Sequence, residues 1–207
     1  MSPRPYHLGE RQSVIDQTRA RIIEAARSLL MTSSGHTGFT IEAVAREANV
    51  ARMTVYYQFG SKIGLLEALC DSLAANGGME QLSGAFQQAD PLDALAEYIG
   101  IFSRFWDYDR LVTRRLRGLA ALDREFEQVV RSRDERRRRG LRVIVQRVVD
   151  QQGRPSAAAL DEVVDVLFTL ISFESFDMLA GSTRTCEEVT PIVRRLARAA
   201  LGFLGER

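Results

Sequence analysis

The sequence predicts an all-α protein, with a small N-terminal helical unit followed by a larger helical domain. Apolar residues recur three and four positions apart along most of the 207 residues, which is the spacing of one helix face. No segment alternates apolar and polar residues convincingly with a period of two, so we expect no strands. The breaks between the periodic segments hold glycine, proline or short polar runs, which are typical of helix ends.

The composition is that of an ordinary globular chain, but its charge is unevenly distributed. Hydrophobic residues make up 45% and charged residues 27% of the sequence, which argues against disorder. The net charge is +1, yet residues 1–62 hold eight basic side chains against five acidic ones, and residues 63–207 hold 20 against 22. The N-terminal end is therefore the one expected to approach a phosphate backbone.

The sequence lacks the features of several other classes of protein. Cys70 and Cys186 are too few for a disulfide framework or a metal cluster. With no N-terminal apolar segment and no run of about 18 apolar residues, we expect a cytoplasmic protein with no membrane partner. A glycine-rich phosphate loop, metal-ligand spacing and a nucleophile beside a base are also missing. We therefore expect no enzyme, no cofactor and no metal site.

The chain begins with an arm and a long helix. Residues 1–15 hold two prolines and two arginines and indicate a flexible basic arm. From Asp16 the apolar spacing becomes helical, and the segment "SSGHTG" ends this first helix.

Two short helices follow the first one. Thr40 can cap a helix over 41–48, because its hydroxyl can accept a hydrogen bond from a free backbone N–H. Asn49 can adopt the left-handed conformation that ends this helix, and a second short helix is expected over about 51–58. Two short helices joined by about three residues form a helix-turn-helix, so we place such a domain over 16–62.

The remaining segments are also helical. Ser61 can cap a third helix, which connects the N-terminal domain to the rest of the chain over 63–76. Residues 77–207 are expected to form a single helical domain. Its helices are predicted near 80–88, 91–106, 110–121, 123–151, 157–180 and 187–204.

The second short helix can place its side chains against DNA. The major groove of B-DNA admits one helix, whose N-terminal residues reach the base edges. Arg52 can donate two hydrogen bonds to guanine, while hydroxyl and amide groups further along can bond phosphate oxygens. Taken alone, the tyrosine pair at 56–57 fits a core position equally well. The residues assigned to DNA contact are Thr40, Arg52, Met53, Thr54, Tyr56, Tyr57, Gln58 and Lys62.

The stretch "FTIEAVAREANVARMTVYYQFGSKIGLLEAL" resembles the N-terminal DNA-binding domain of the tetracycline-repressor (TetR/AcrR) family. The family pattern has a threonine before "xxxIAxxAGV", then a short helix "SxxTxYxxF", then "SKxxL". The rest of the chain resembles the family only in length and helical character. The residues in matching places are Thr40, Ala45, Ala48, Val50, Thr54, Tyr56, Phe59, Ser61, Lys62 and Leu65.

The chain departs from this pattern at four places. Asn49 stands where the family has a turn glycine, and Ala51 where it has a capping serine, which leaves about 1 kcal/mol of capping unmade. Met53 replaces a small residue and places bulk at the groove. Ile63 and Gly64 replace the usual acidic start of the next helix.

The resemblance implies how the protein works. It implies a homodimer on a roughly palindromic operator, with one helix-turn-helix in each half-site. It also implies a transcriptional repressor that a small-molecule ligand releases from DNA. A DNA-binding regulator or activator without a small-molecule switch is the alternative. The expected partners are double-stranded operator DNA, a second copy of the chain and a largely apolar effector of unknown identity.

The last predicted helix carries an apolar stripe. Together with the preceding helix, which is apolar on more than one face, it can pair with its symmetry mates in a four-helix bundle. A monomer that buries both helices internally is the alternative. The residues assigned to the dimer interface are Val189, Ile192, Val193, Leu196, Ala200 and Leu201.

The larger domain is rich in aromatic residues. An effector pocket is mostly apolar, and so is a core, so composition alone leaves both interpretations open. The residues assigned to the pocket are Phe102, Phe105, Trp106, Phe126, Phe168, Phe173 and Phe176. The run "RSRDERRRRGLR" at 131–142 indicates a solvated helix face balanced by Asp134 and Glu135. An auxiliary DNA contact or an ion-pair network to the DNA-binding domain is the alternative.

Overall fold

The computed structural model describes residues 6–32, 38–152 and 157–202, and all regular structure within them is helical. The all-α prediction is confirmed. A 3₁₀ turn, Met79–Gln81, precedes α5. The helices are α1 (Tyr6–Thr32), α2 (Ile41–Glu47), α3 (Arg52–Phe59), α4 (Lys62–Asn76), α5 (Leu82–Gln87), α6 (Pro91–Tyr108), α7 (Arg110–Ala120), α8 (Arg124–Gln152), α9 (Ala157–Leu170), α10 (Phe173–Ala180) and α11 (Cys186–Leu201).

The described helices include neither a candidate membrane span nor a candidate metal site. None of them is both long enough and apolar enough to cross a bilayer. The same residues contain no group of three His, Cys, Asp or Glu side chains placed to hold a metal ion.

The first of two compact units comprises Met1–Ser72 and Leu111–Glu127. Its boundary lies inside α4, and it includes most of α7, so it differs from the predicted domain over 16–62. The Arg115 guanidinium on α7 donates a hydrogen bond to the Leu30 carbonyl oxygen at the end of α1. Helix α7 completes this unit although it is distant in sequence. The buried apolar residues on α1 and α7 include Ile22, Ala26, Leu30, Val112, Leu116 and Leu119.

Helix α1 begins ten residues earlier than the sequence predicted. It starts at Tyr6, so the part of the predicted arm from residue 6 to residue 15 is helical, and residues 1–5 lie outside the described residues. Residues 12–17 are exposed on every face of the helix. Because no side chain in this stretch is buried, no apolar spacing marks it as helix in the sequence.

A tight turn joins α3 to α4. Gly60 ends α3 with a φ of 73°, and the Ser61 hydroxyl oxygen accepts a hydrogen bond from the Gly64 N–H at 3.0 Å, which confirms Ser61 as the cap of α4. A Cβ atom at residue 64 would lie 2.1 Å from the Phe59 carbonyl oxygen. The glycine that departs from the family pattern therefore allows the end of α3 to approach the start of α4.

We expect Gly64→Ala to destabilise the protein by about 1–3 kcal/mol, because the added methyl group must displace the backbone of Phe59. Gly84→Ala is the matched control: it lies inside α5 and its added Cβ would have no atom within 4 Å. The control should be neutral or stabilising by about 0.5–1 kcal/mol. Urea denaturation followed by circular dichroism measures both. Equal stabilities for the two variants would show that the α3–α4 turn accommodates a side chain.

The second compact unit comprises Leu73–Arg110 and Gln128–Arg207. Helices α6, α8, α9, α10 and α11 contribute to one continuous apolar core. Each of them places a nearly fully buried side chain in it, and examples are Ile99, Ile144, Leu167, Phe176 and Val193.

The single helix predicted over 157–180 is wrong, because the structure has two helices there. Helix α9 ends at Leu170 and α10 begins at Phe173. Ser172 has extended backbone angles, and its hydroxyl oxygen accepts a hydrogen bond from the Ser175 N–H at 3.1 Å, which caps α10. The segment is apolar on more than one face because each of the two helices buries a face of its own.

Candidate nucleic-acid interface

Local capping and a left-handed residue set the geometry of α2 and α3. The Thr40 hydroxyl oxygen accepts a hydrogen bond from the Ala43 N–H at 3.1 Å, which confirms the predicted cap of α2. Asn49 has a φ of 50°, so the predicted left-handed turn is also confirmed. Ala51 makes no side-chain capping bond at the start of α3. Val55 is fully buried, which leaves the opposite face of α3 free.

The free face of α3 carries large side chains that contact little of the protein. Met53 is 72% exposed and Tyr57 is 83% exposed, and Arg52 is also exposed. Thr54, Tyr56 and Gln58 are half-buried. The core interpretation of the tyrosine pair is therefore wrong for Tyr57, whose ring lies almost entirely in solvent.

Arg52 is held by groups from two helices. Its Nε lies 2.9 Å from Glu42 Oε1 on α2, and one Nη donates to the Tyr56 hydroxyl oxygen at 3.2 Å. The guanidinium also lies 5.3 Å from the centroid of the Tyr56 ring. The hydrogen bond to Tyr56, and then the charge of Glu42, raise the pKa of Arg52. The cation therefore has a defined position on the exposed face of α3.

Two further basic residues flank α3. Arg19 of α1 donates to the Gln58 carbonyl oxygen at 2.8 Å, and its guanidinium lies 4.4 Å from the centroid of the Phe59 ring. A cation at the C-terminal end of a helix also interacts favourably with the helix dipole. The Lys62 ammonium lies 5.7 Å from the centroid of the Phe39 ring.

Arg19 and Glu42 are not among the residues that the sequence predicts for DNA contact. Arg19 contacts a residue 39 positions away, and Glu42 contacts one ten positions away on a different helix. Neither contact lies within one helix, so no local spacing in the sequence predicts it.

Six of the seven aromatic residues predicted for the pocket lie in the second unit. Phe102, Trp106, Phe173 and Phe176 are nearly fully buried in its core, and Phe105 and Phe168 pack against that core. Phe126 is also fully buried, and it belongs to the first unit.

Arg137 lies among these aromatic rings. Its guanidinium carbon is 4.5 Å from the ring centroid of Phe168, 5.5 Å from that of Trp106 and 5.8 Å from that of Phe102. Its side chain is 4% exposed, and the Asp134 carboxylate lies 3.2 Å from one Nη. The aromatic cluster thus surrounds a cation that the protein itself supplies.

The neighbouring arginines of the 131–142 run pair with α9. Arg138 contacts the Asp165 carboxylate, and Arg142 contacts the Asp161 carboxylate. These contacts agree with a charge-balanced helix face. The acidic residues that balance this face lie on α9 as well as on α8, whereas the sequence predicted only those on α8.

A cleft of about 320 Å³ opens in the second unit where the ends of α4 and α6 approach the start of α11. Its charged lining residues are Arg104, Asp107 and Glu187. Of the described residues that line this cleft, none is one of the seven predicted pocket residues.

Most of the predicted dimer stripe is buried within the single chain. Val189 and Val193 are fully buried, and Ala200 and Leu201 are 3% and 7% exposed. These four assignments are wrong, because side chains that pack into their own core offer no surface to a second copy. Ile192 is half-buried and Leu196 is 45% exposed, so these two remain accessible.

The arrangement of α2 and α3 defines the class of protein: a helix-turn-helix protein with an exposed second helix. Residues 22–69 match the sequence model described as "Bacterial regulatory proteins, tetR family". The matched segment begins in α1 and ends in α4, so it contains the whole helix-turn-helix and is similar to the corresponding part of these transcriptional regulators.

Two curated proteins show similarity to part of the chain. The HTH-type transcriptional repressor NicS of Pseudomonas putida is 31% identical over 100 residues, which cover 48% of this chain and 45% of NicS. The uncharacterised HTH-type transcriptional regulator YvkB of Bacillus subtilis is 38% identical over 69 residues, which cover 32% of this chain and 36% of YvkB. The similarity thus spans less than half the length of either relative.

Solved structures show similarity over nearly the whole chain. A TetR transcription regulator from Haloarcula marismortui has a TM-score of 0.68 at 20% identity, covering 90% of this chain and 97% of its own. FadR from Bacillus subtilis, in complex with stearoyl-CoA, has a TM-score of 0.66 at 17% identity, with 87% and 98% covered. A putative regulator from Saccharomonospora viridis, in complex with choline, has a TM-score of 0.65 at 18% identity, with 88% and 96% covered. At these identities the similarity shows the fold alone.

Proposed function

We propose that the chain is a homodimeric transcriptional repressor that binds a palindromic operator and leaves it when a small molecule binds to the second unit. The DNA-binding part of this proposal rests on the exposed face of α3, where Arg52, Met53 and Tyr57 lie in solvent. The match of residues 22–69 to the tetR-family model supports it, and so does the similarity to NicS, which is named as a transcriptional repressor. The site of action is the cytoplasm, where bacterial DNA lies.

The residues of α3 divide between bases and phosphates. Arg52, Met53 and Thr54 occupy the first turn of α3, which is the part of a recognition helix that reaches base edges. The Tyr57 hydroxyl, on the next turn, can bond a phosphate oxygen, and so can the Gln58 amide. The Tyr56 hydroxyl accepts a hydrogen bond from Arg52 and can still donate its own hydrogen to a phosphate. Thr40 and Lys62 begin the neighbouring helices, where backbone N–H groups favour an anion, and they complete the phosphate contacts.

Fluorescence anisotropy on DNA tests this proposal. The purified protein is titrated onto labelled duplex from upstream of its own gene and onto a scrambled duplex, each at two salt concentrations. We expect a preference on the order of 10³ or more for the upstream duplex. Equal, weak binding to both duplexes that disappears with added salt would show phosphate contact only and would contradict a sequence-specific regulator.

The aromatic cluster around Trp106 is the region we propose for the effector. The proteins in complex with stearoyl-CoA and choline share this fold, which supports a ligand site in the second unit. Trp106 is the only tryptophan in the chain, so its fluorescence reports on this cluster alone. A compound that changes Trp106 emission should also release the labelled operator over the same concentration range. Choline and an acyl-CoA are the first probes to titrate.

A DNA-binding regulator or activator without a small-molecule switch is the second candidate. The observation in its favour is the near-complete burial of Phe102, Trp106, Phe173 and Phe176 in the core. The Arg137 guanidinium also lies against two of these rings, those of Phe102 and Trp106. A screen in which no compound shifts Trp106 emission while operator binding stays intact would favour this candidate.

The homodimer is proposed to use the exposed part of α11. We expect Leu196→Glu to weaken dimer formation about tenfold or more, because it places a charge where an apolar side chain would be buried by the partner. Val143→Glu is the matched control, since Val143 on α8 is 54% exposed and lies outside the predicted stripe. Sedimentation equilibrium gives the dimer dissociation constants. If the Leu196→Glu protein dimerised like the control, the dimer interface would have to lie on another surface.

A further inference from the structure

The carboxylate of Glu42 lies against Arg52, which is the cation on α3 best positioned to contact a base. Its Oε1 lies 2.9 Å from Arg52 Nε, and the Tyr56 hydroxyl oxygen takes a second N–H of the same guanidinium. Both partners of the ion pair remain accessible, with side-chain exposures of 56% for Glu42 and 58% for Arg52. The pair therefore lies on the surface that DNA would cover.

The contacts leave one edge of the guanidinium available. A guanidinium carries five N–H donors in a planar fork, and the two Nη groups at its end match the O6 and N7 acceptors of guanine. Glu42 occupies Nε at the side of the fork, and Tyr56 takes one Nη hydrogen. Hydrogens on both Nη groups remain for a base, so Glu42 can keep its contact while Arg52 binds guanine.

We propose that Glu42 is a specificity-determining residue, which directs Arg52 to a guanine and prevents it from pairing with backbone phosphates. This inference rests on the proposed DNA-binding function. Glu42 itself would contact no base, but it would change the ratio of operator affinity to affinity for unrelated DNA.

Two physical effects act on that ratio in the same direction. Non-specific affinity comes from basic side chains that neutralise phosphates, and a carboxylate paired with Arg52 removes part of that charge. Specific affinity gains because a guanidinium that is already oriented loses less conformational freedom when it binds a base. Glu42 therefore lowers binding to unrelated DNA and supports binding to the operator.

The ion pair contributes little to folding, so a change in DNA binding by a Glu42 variant would not result from a loss of stability. Exposed pairs of this kind contribute between zero and about 1 kcal/mol to stability, so variants at Glu42 should fold normally. Glu42 also lies in the first turn of α2, where a negative charge favours the helix dipole. Glu42→Asp retains that charge while its shorter side chain withdraws the carboxylate from Arg52, so it separates the two roles.

Glu47→Gln is the matched control for the change of charge. Glu47 lies on the same helix and is exposed, and its Oε1 accepts a hydrogen bond from the Ser28 hydroxyl at 3.4 Å. Its replacement removes one negative charge from α2, as Glu42→Gln does, but leaves the contact between Glu42 and Arg52 in place.

The experiment starts from an operator selected by the wild-type protein from a pool of random duplexes. Anisotropy titrations on this operator and on scrambled DNA, over a range of salt concentrations, then give the specificity ratio for each variant. We expect Glu42→Gln and Glu42→Asp to lower the ratio about tenfold. For Glu42→Gln the salt dependence on scrambled DNA should steepen by about one phosphate contact. Glu47→Gln should shift both affinities together and leave the ratio unchanged.

A double-variant cycle shows whether Glu42 acts through Arg52. In an Arg52→Ala background, Glu42→Gln should have no further effect on the ratio. An effect of the same size in both backgrounds overturns the proposal, and so does a Glu42→Gln ratio equal to that of Glu47→Gln. A selection in which the wild-type protein enriches no sequence overturns the proposed function and this inference together. A clear wild-type preference that Glu42→Gln retains overturns this inference alone.

Discussion

Replacing Arg52 with alanine is expected to relax the base preference at one base pair in each half-site, at a cost of about 1–3 kcal/mol per half-site. Arg52 lies at the first position of α3, is exposed, and is oriented by Glu42 and Tyr56. If Arg52 contacts a base as proposed, its loss removes the donors that distinguish that base from the others, while the phosphate contacts proposed for the other residues persist. Selection from random duplexes by both proteins, followed by anisotropy on single-base-pair variants, measures the effect.

Arg46→Ala is the control for loss of a positive charge near the same surface. Arg46 is exposed in the last turn of α2. We expect it to leave the base preference intact and at most to weaken binding to all sequences alike. If Arg52→Ala also weakened binding to all sequences alike, Arg52 would be a phosphate contact and the base preference would arise elsewhere on α3.

Replacing Trp106 with alanine is expected to destabilise the protein by about 3–5 kcal/mol. The Trp106 side chain is 5% exposed, and its ring centroid lies 4.5 Å from that of Phe105 and 5.7 Å from that of Phe173. Its indole N–H donates to the Ile171 carbonyl oxygen at 3.1 Å. Alanine leaves a large cavity and an unpaired carbonyl oxygen. Urea denaturation followed by far-ultraviolet circular dichroism measures the loss, since the fluorophore is gone.

Two further variants separate packing from the hydrogen bond. Trp106→Phe keeps most of the ring volume and loses the indole donor, so about 1 kcal/mol should be attributable to the bond. Leu122→Ala removes an apolar side chain that is 73% exposed, and its effect should stay within about 0.5 kcal/mol. A Trp106→Ala protein as stable as the Leu122→Ala protein would mean that the aromatic cluster is loosely packed.

The helix-turn-helix is the part of the fold that sequence predicts best. The Thr40 cap, the left-handed Asn49 and the Ser61 cap all have their partners within four residues, so residue type at each position suffices to predict the geometry. The same locality explains the correct prediction of the short helices α2 and α3.

Predictions that depended on what an apolar face packs against were less successful. The stripe at the end of the chain has helical spacing, but spacing cannot distinguish a partner subunit from the chain's own core. Val189 and Val193 proved to be buried within the chain. The break at Ser172 was missed because it contains neither glycine nor proline, and a serine cap in an apolar segment has no marked signature.

The helical class, the turn chemistry of residues 40–62 and the types of side chain on α3 follow from the amino-acid sequence, because they depend on neighbours a few residues apart. The contacts between side chains of different helices depend on how the chain packs. Glu42 meets Arg52 from another helix, Arg19 reaches the end of α3 from α1, and Arg137 lies among rings from α6 and α9. Such contacts arise when helices pack together, and residues far apart in the sequence show no local pattern that predicts them.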